Sequence, residues 1–385
     1  MQNSEKKILS IQALRGVAAV LVVFCHSMQY QSIFSPVHLE RYLGYCFGGF
    51  GVDIFFVISG FIMVYISTED FGQNKAMASF LLRRIIRIFP MYWIVALTVL
   101  FIIIPSGLYS QIMLEKQQIV VSASHNLKYV IENLLLLPPF YVTKGIIPPI
   151  VAVAWTLFLE MFFYIIFGIL LIFNRKIFLP TLCSIFVCLI LLKFYFLNFN
   201  IVNIFSPYVN FYGEDIILEF LFGCFIAELY LADKLLSNNV AILLLVLSIL
   251  AILSSYHRHL IPIKSLMKSI QYGIPSAFIV LAVLSLEINR KIKIPAFLTR
   301  LGNSSYSIYL THLSIFLVIF ISLFKQIEKY IYIPSDLVVI ALWVACVFLG
   351  CLVYEYIEKP ITIWLRCFNN LIEVKNPLIS INTLK

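Results

Sequence analysis

Residues 11–27 read IQALRGVAAVLVVFCHS, and this stretch decides the fold class of the chain. It lies inside an apolar window, residues 9–30, in which Arg15 is the only Asp, Glu, Lys or Arg. A bilayer core about 30 Å thick is crossed by roughly 20 apolar residues in a helix. The stretch therefore predicts a membrane-spanning helix.

The rest of the chain repeats this pattern. Of the 385 residues, 62% are hydrophobic and 12% are charged, and the mean hydropathy is +0.98, which excludes a soluble domain. The apolar windows are too long and too closely spaced for barrel strands, so each is predicted to be a helix. We predict an all-α, polytopic bundle of about ten spans, with approximate bounds 9–30, 45–66, 89–109, 149–173, 177–198, 213–232, 239–256, 269–288, 303–324 and 335–357.

The distribution of basic residues predicts the orientation. If the N-terminus is inside, 17 of the 28 Lys and Arg residues fall on the inner side and nine on the outer side, while Arg15 and Lys193 lie within spans. Cytoplasmic loops of membrane proteins are enriched in Lys and Arg. We therefore predict that both termini are inside, and the net charge of +9 needs no nucleic-acid partner.

Two connections and the cysteines complete the organisation. The longest connection, residues 110–148, contains LLLLPPFY (residues 134–141) and is predicted to form an interfacial or re-entrant lid on the outer side. The sequence SFLLRRIIRIFP (residues 79–90) predicts an amphipathic helix along the inner surface. The eight cysteines show no metal-site spacing, so we predict no metal and interpret them as small core residues.

Charged side chains inside predicted spans are the candidate functional residues, because such a charge costs roughly 2.5 to 3.5 kcal/mol on insertion scales. Arg15 and His26 are eleven residues apart in the first span, so they face nearly the same way, about 16 Å apart along the axis. Asp53 and Glu160 lie in the second and fourth spans, within roughly 10 Å of His26 in depth. A carboxylate beside an imidazole makes a general base, so Glu160 or Asp53 is predicted to orient His26.

These residues also have structural interpretations. His26 could be an interfacial side chain, Arg15 could reach inner headgroups, and Asp53 could hydrogen-bond between packed helices. The pair Arg84 and Arg87 indicates either a lipid-headgroup anchor or an anion clamp, because the geometry of a guanidinium group suits hydrogen bonding to a phosphate. His312 follows the polar run SSYSIYL (residues 304–310) and could be a structural hydrogen bonder.

Six segments, in order along the chain, resemble the signatures of the acyltransferase-3 family of integral membrane O-acyltransferases. The first span matches a signature in which ten residues separate an Arg from a His, here Arg15 and His26. The segments are IQALRGVAAVLVVFCHS (11–27), GGFGVDIFFVISGF (48–61), LLRRIIRIFPMYW (81–93), WTLFLEMFFY (155–164), LGNSSYSIYLTHL (301–313) and YEYIEKP (354–360). The segment WTLFLEMFFY resembles the form found in the exopolysaccharide-modifying branch of this family.

The resemblance implies a bacterial inner-membrane enzyme that moves an acyl group from cytoplasmic acyl-CoA, usually acetyl-CoA, to a hydroxyl. The acceptor would be a cell-surface or exported polysaccharide or a lipid-linked oligosaccharide. No tightly bound cofactor is expected. Residues 1–365 would form the acyltransferase domain and 366–385 a cytoplasmic tail, with no SGNH domain.

The resemblance also implies roles for the candidate residues. Arg84 and Arg87 are expected to hold CoA phosphates, and Arg15 to guide or polarise the donor. His26 is expected to deprotonate the acceptor hydroxyl or to carry the acyl group transiently. Substrate contacts are expected from Trp155, Tyr306 and His312. The alternative function is a transporter or flippase for a lipid-linked sugar, which would also need buried charges and many spans.

Overall fold

The computed structural model confirms the predicted all-α fold. It describes residues 8–32, 43, 47–73, 75–109, 115–138, 140–141, 145–201, 205–257, 268–365 and 367. The helices of this part of the chain are α1 (Leu9–Ser32), α2 (Gly51–Ile66), α3 (Ala76–Thr98), α4 (Glu115–Ala123), α5 (Leu127–Leu134), α6 (Trp155–Leu170), α7 (Arg175–Asn198), α8 (Ser206–Tyr212), α9 (Ile217–Leu231), α10 (Asn238–His257), α11 (Ile274–Ile288), α12 (Ala296–Thr311), α13 (Val318–Glu328) and α14 (Ser335–Val353). Two short strands, β1 (Phe140–Tyr141) and β2 (Gly145–Ile146), pair antiparallel.

The lengths of the helices make this a multi-pass membrane protein. Eight stretches of the described chain are long and apolar enough to span: Leu9–Gln29, Ala76–Ile103, Ala152–Leu170, Arg175–Asn198, Asn238–Ser255, Ser269–Ile288, Ala296–Glu328 and Ser335–Leu365. The other two predicted spans correspond to shorter helices, α2 with 16 residues and α9 with 15. The number ten and the orientation of the termini stay predictions.

The two shorter helices pack directly against each other. Gly60 of α2 faces the backbone carbonyl of Phe220, and Gly223 of α9 faces the carbonyl of Val57, so that a Cβ atom at either glycine would strike backbone. Lipid supplies no hydrophobic force between helices, and small residues let their backbones approach closely enough for van der Waals packing. The glycines therefore set the distance between α2 and α9.

Helix α1 is surrounded by other helices and contacts α2, α11, α12 and α14. At its crossing with α12, Gly16 meets Gly302. On another side, the indole Nε1 of Trp343 donates to the carbonyl of Val20 at 2.9 Å. The carboxylate of Glu287, at the end of α11, accepts from the first backbone N–H groups of α1 at 2.9 and 2.8 Å. This acidic cap from another helix stabilises the positive end of α1.

The predicted amphipathic surface helix is wrong, because residues 79–90 belong to α3, which continues into a π turn at Val99–Ile103. The apolar side of this segment packs against α6, with Phe80 stacked on Phe167 at 5.1 Å between ring centroids. Arg83 points the other way, is exposed, and pairs with Asp70 at 2.9 Å. Part of the amphipathic pattern thus reflects packing between helices.

The described part of the predicted outer lid is fixed to the bundle. Asn133 is fully buried, and its side chain accepts from the N–H of Ile150 at 2.9 Å and donates to the carbonyl of Tyr129 at 2.9 Å. From α3, Tyr92 donates to the carbonyl of Asn133 at 2.8 Å, and Trp93 donates to that of Leu134 at 2.8 Å. Three of these hydrogen bonds connect α5 with α3 and with the segment that precedes α6.

The cysteines differ from one another in state. Cys25 is buried and disulfide-bonded, so its interpretation as a simple core residue is wrong. Cys224 and Cys346 are buried free thiols, whereas Cys188 and Cys367 are exposed. Other sequence predictions fall outside the described residues: these concern Cys46, residues 110–114, 139 and 142–144 of the lid, the basic residues Lys6, Lys7, Arg41, Lys144, Arg258 and Lys264, and the tail 366–385 apart from Cys367.

We expect Gly223→Ala to destabilise the protein by about 1 to 3 kcal/mol, because its methyl group would overpack the crossing of α2 and α9. The measurement is thermal unfolding of the detergent-purified protein. Gly168→Ala in α6 is the matched control, since a Cβ atom there would lie 3.4 Å from the nearest side-chain atom, at ordinary contact distance. Equal melting temperatures for both variants would contradict the packing account.

Candidate functional site

A cavity opens between α1, α2, α3, α6 and α12. Its charged lining residues are Arg15, Arg84, Arg87 and Glu160. Apolar side chains cover most of the remaining wall: Val52, Phe55, Phe56, Ile58, Ile62, Met63, Ile88 and Leu157. Concave, mostly apolar sites with a few placed polar groups are typical of small-molecule binding. This cavity is therefore the candidate site.

The fold brings the three arginines, Arg15, Arg84 and Arg87, together. Arg15 lies in the N-terminal part of α1, and Arg84 and Arg87 lie in the N-terminal part of α3. The sequence predicted the residues, and the structure places all three on the wall of one cavity.

Two carboxylates accompany these guanidinium groups. Glu160 and Glu358 both lie within electrostatic range of Arg15, and Glu358 also acts on Arg87. Arg15 and Arg87 repel each other. Charges interact strongly where water is excluded, so carboxylates at this range offset much of the repulsion. Glu358 was not among the predicted site residues.

Arg84 is the most deeply buried of the three arginines, with 6% of its surface exposed. Its guanidinium carbon lies over the rings of Phe80 and Tyr164, at 5.5 and 5.7 Å from their centroids. The Nε of Arg84 has no hydrogen-bond partner. Cation–π contact supports the charge from one side, and the buried Nε–H donor has no protein acceptor. This position removes the lipid-headgroup interpretation for Arg84.

Glu160 is held by two hydroxyl groups. The Oγ of Ser59 donates to its carboxylate at 3.1 Å, and the hydroxyl of Tyr164 donates to the same oxygen. Sequence reasoning missed both partners. Tyr164 could have been found, because it follows Glu160 by four residues and such residues share a helix face. Ser59 could not, since it comes from another helix.

A pair of histidines forms the second polar centre. The Nδ1 of His26 lies 2.8 Å from the Nε2 of His312, and the rings stack with centroids 5.0 Å apart. His312 is fully buried at the start of a π turn, His312–Leu317, that follows α12. The partner of His26 is thus an imidazole contributed by another helix.

The hydrogen bonds of His312 determine the tautomers of the neutral pair. Its Nδ1 lies 2.6 Å from the carbonyl of Tyr309 and 3.2 Å from that of Ile308. A carbonyl can only accept, so Nδ1 carries the proton and Nε2 of His312 does not. His26 must then donate from Nδ1, which leaves its Nε2 unprotonated. The arrangement gives His26 one basic nitrogen with a defined orientation.

Tyr309 joins the cavity to the histidine pair. Its side chain lines the cavity, and its hydroxyl lies 2.9 Å from the Oγ1 of Thr156. Its backbone carbonyl holds His312, and the two rings lie 5.9 Å apart. The guanidinium cavity and the histidines therefore meet at this one residue.

The predicted carboxylate partner of His26 is wrong within the described chain, because Asp53 and Glu160 have other partners. Asp53 shares a hydrogen bond with Glu219, and the neighbouring Asp215 accepts from the N–H of Ser269 at 3.1 Å. Depth along a helix does not give the rotation of each helix, and rotation decides which side chains meet.

The three predicted substrate contacts differ in position. Tyr306 lines the cavity and donates to the carbonyl of Ile88 at 2.8 Å. Trp155, the first residue of α6, is 36% exposed and does not line the described cavity. The ring nitrogens of His312 are hydrogen-bonded to His26 and to helix carbonyls, which agrees with the interpretation of His312 as a structural hydrogen bonder. In the described residues, no group of three or more His, Cys, Asp or Glu side chains has metal-site geometry.

The amino-acid sequence of this chain is similar to those of known proteins. The model of an acyltransferase domain, acyltransferase-3, matches residues 8–355. Exopolysaccharide production protein ExoZ of Rhizobium meliloti (strain 1021) is 31% identical over 266 residues, which is 69% of this chain and 75% of that protein. Nodulation protein 10 of Rhizobium leguminosarum bv. viciae is 32% identical over 96 residues, a quarter (25%) of each chain. No solved structure matches significantly.

We expect Arg84→Met to raise the stability of the ligand-free protein by about 1 to 2 kcal/mol, because a methionine fills the same space without a buried charge. The measurement is the melting temperature in detergent without added anions. Arg83→Met is the matched control, since Arg83 is exposed and its pair with Asp70 contributes little. A lower melting temperature for Arg84→Met than for Arg83→Met would show that Arg84 is structural.

Proposed function

Because the chain belongs to the acyltransferase-3 family, we propose that it transfers an acyl group, acetyl in the first instance, from acyl-CoA to a hydroxyl of an exported polysaccharide. The chain is a multi-pass membrane acyltransferase. The polysaccharide acceptor and the bacterial inner membrane are proposed from the likeness to ExoZ. One observation carries the proposal: an arginine-lined cavity whose wall residue Tyr309 holds His312, which in turn orients His26.

The cavity suits the donor in two respects. Acyl-CoA carries phosphates at one end, and guanidinium groups bind phosphate oxygens through paired, charge-assisted hydrogen bonds. Arg84 and Arg87 are the proposed phosphate ligands, and the free N–H of Arg84 gives one donor. The apolar wall suits the uncharged pantetheine arm, whose thioester would lie towards Tyr309. Arg15 is proposed to polarise the thioester carbonyl, as a cation near a developing oxyanion does.

The proposed reaction begins at the Nε2 of His26, which takes the proton from the acceptor hydroxyl. The resulting oxygen attacks the thioester carbonyl carbon and forms a C–O bond. The tetrahedral intermediate collapses, the C–S bond breaks, and the CoA sulfur takes the proton back from His26. His312 stabilises the imidazolium form by accepting from its Nδ1–H. In the alternative route, Nε2 carries the acyl group itself before the hydroxyl takes it.

The histidine pair gives the first test. We expect His26→Ala to abolish transfer, and His312→Leu to lower it by about 100-fold or more, because the tautomer of His26 is then no longer fixed. His312→Gln should keep more activity than His312→Leu, since a glutamine oxygen can still accept from Nδ1–H of His26. The measurement is the amount of acyl ester on polysaccharide from cells in which the variant replaces the wild-type gene.

Protein abundance in the membrane is the control for these variants. Wild-type ester levels with His26→Ala at normal abundance would exclude His26 as base and as acyl carrier. Equal activity of His312→Gln and His312→Leu would exclude the proposed tautomer control.

The arginines give the second test. We expect Arg84→Gln and Arg87→Gln to weaken acetyl-CoA binding about tenfold or more each, because each loses a charge-assisted contact to phosphate. The measurement is equilibrium binding of acetyl-CoA to purified protein. Arg83→Gln is the matched control, since its side chain points away from the cavity to Asp70.

Unchanged affinity in both cavity variants would show that these arginines do not bind the donor. In proteoliposomes, ester formation that depends on acetyl-CoA supports the enzyme. Movement of a lipid-linked sugar without covalent change would support a transporter instead.

A further inference from the structure

Ser314 lies two residues after His312, in the π turn that follows α12, and its hydroxyl group is used in an unusual way. The hydroxyl groups of Ser27 and Ser248 each donate to the carbonyl four residues earlier in their own helix, at 2.8 and 2.7 Å. Ser314 is 1% exposed, and its Oγ instead accepts from the backbone N–H of Ala152 at 2.8 Å. Its side chain therefore joins the π turn to a segment that is distant in the chain.

That segment, residues 148–154, is called the connecting segment here, and it runs from the predicted lid to the start of α6. Helix α5 holds its first part. The N–H of Ile150 donates to the side chain of Asn133 at 2.9 Å, and the hydroxyl of Tyr129 donates to the carbonyl of Pro148 at 2.7 Å. Buried backbone groups need such partners. The connecting segment is therefore a fixed support rather than a loose loop.

A second contact joins the connecting segment to α12 just before His312. The hydroxyl of Tyr309 donates to the carbonyl of Val153 at 3.4 Å and lies 2.9 Å from the Oγ1 of Thr156. The backbone carbonyl of Tyr309 is also the partner of His312 Nδ1 at 2.6 Å. His312 thus lies between two attachment points, Tyr309 three residues earlier and Ser314 two residues later.

The position of the His312 ring depends on the π turn that carries it. Such turns depart from the regular helical hydrogen-bond pattern and occur frequently at functional sites. In this turn, the Nε2 of His312 lies 2.8 Å from the Nδ1 of His26. Hydrogen bonds weaken steeply when their geometry is lost. A shift of the turn would therefore weaken the contact between the two imidazoles.

We propose that Ser314 is a positioning residue, which fixes the π turn on the connecting segment and thereby holds His312 against His26 for acyl transfer. This inference rests on the proposed function for its kinetic consequence, whereas the contact itself can be tested without any reaction. Without the hydroxyl, the N–H of Ala152 loses this acceptor, and the turn loses one of its two attachments to the connecting segment. A misplacement of about 1 Å can slow a reaction about 100-fold.

The kinetic test compares Ser314→Ala with wild type, both as full-length protein in proteoliposomes with radiolabelled acetyl-CoA. We expect kcat to fall about tenfold, since His312 no longer orients the base as well. The KM for acetyl-CoA should stay within about twofold of wild type, because Ser314 does not line the described cavity. A higher KM with unchanged kcat would overturn the positioning role.

Two comparisons make the kinetic result specific. Ser248→Ala is the matched control, because Ser248 is 3% exposed and lies in α10, which does not line the described cavity, so its kcat should stay within about twofold of wild type. In the His312→Leu background there is no imidazole to position, so Ser314→Ala should change the remaining rate by less than about twofold. Equal losses for both serine variants, or an undiminished loss in the His312→Leu background, overturn the proposal.

A double-mutant cycle on stability tests the contact without the reaction. Ala152→Pro removes the N–H donor. Proline suits the first position of a helical turn, and the preceding residue, Val151, is already extended with φ −94° and ψ 109°, as a residue before proline should be. Melting temperatures are measured in detergent for wild type, Ala152→Pro, Ser314→Ala and the double variant.

We expect the loss caused by Ala152→Pro to be much smaller in the Ser314→Ala background, since the bond is already absent there. Additive shifts overturn the proposal, whether or not the wild type transfers acetyl groups. Non-additive shifts in a protein that shows no transfer from acetyl-CoA support the contact and reject the acetyl-CoA donor.

Discussion

Three guanidinium groups share one cavity inside a membrane protein, and the surrounding structure must offset their mutual repulsion. In a medium of low polarity, like charges interact over long distances and isolated charges are expensive. The chain meets this constraint with aromatic rings over Arg84 and with two carboxylates, Glu160 and Glu358, in range of Arg15. The positive charge that is left is the basis of the proposal that the cavity binds an anion.

The helix crossings determine where these charged groups lie. Gly16 and Gly302 let α1 and α12 approach closely, and Gly60 and Gly223 do the same for α2 and α9. Since α12 also contacts α14, the position of α1 is linked to that of the π turn that carries Glu358. Backbone contact at these glycines leaves little freedom to slide, so the charged side chains on each helix are held at fixed distances.

In the proposed mechanism, the histidine pair orients the base without a carboxylate. Two helix carbonyls fix the proton of His312 on Nδ1, and His312 in turn fixes the proton of His26 on Nδ1. The π turn at His312–Leu317 places this ring against α1 while Tyr309, one turn earlier, remains part of the cavity wall.

Hydropathy and charge pattern were sufficient to predict the helical membrane fold, and the six ordered segments were sufficient to predict the family. Both predictions depend on short stretches of consecutive residues, which the sequence shows directly. They also identified Arg15, Arg84, Arg87, Glu160 and Tyr306, all of which line the cavity. The sequence could not assign partners: it paired His26 with Asp53 or Glu160, whereas the structure pairs it with His312 and gives Asp53 to Glu219. Partners depend on the rotation of each helix about its axis and on its crossing angle. Those are decided by contacts between helices distant in the chain, so only the tertiary structure could show them.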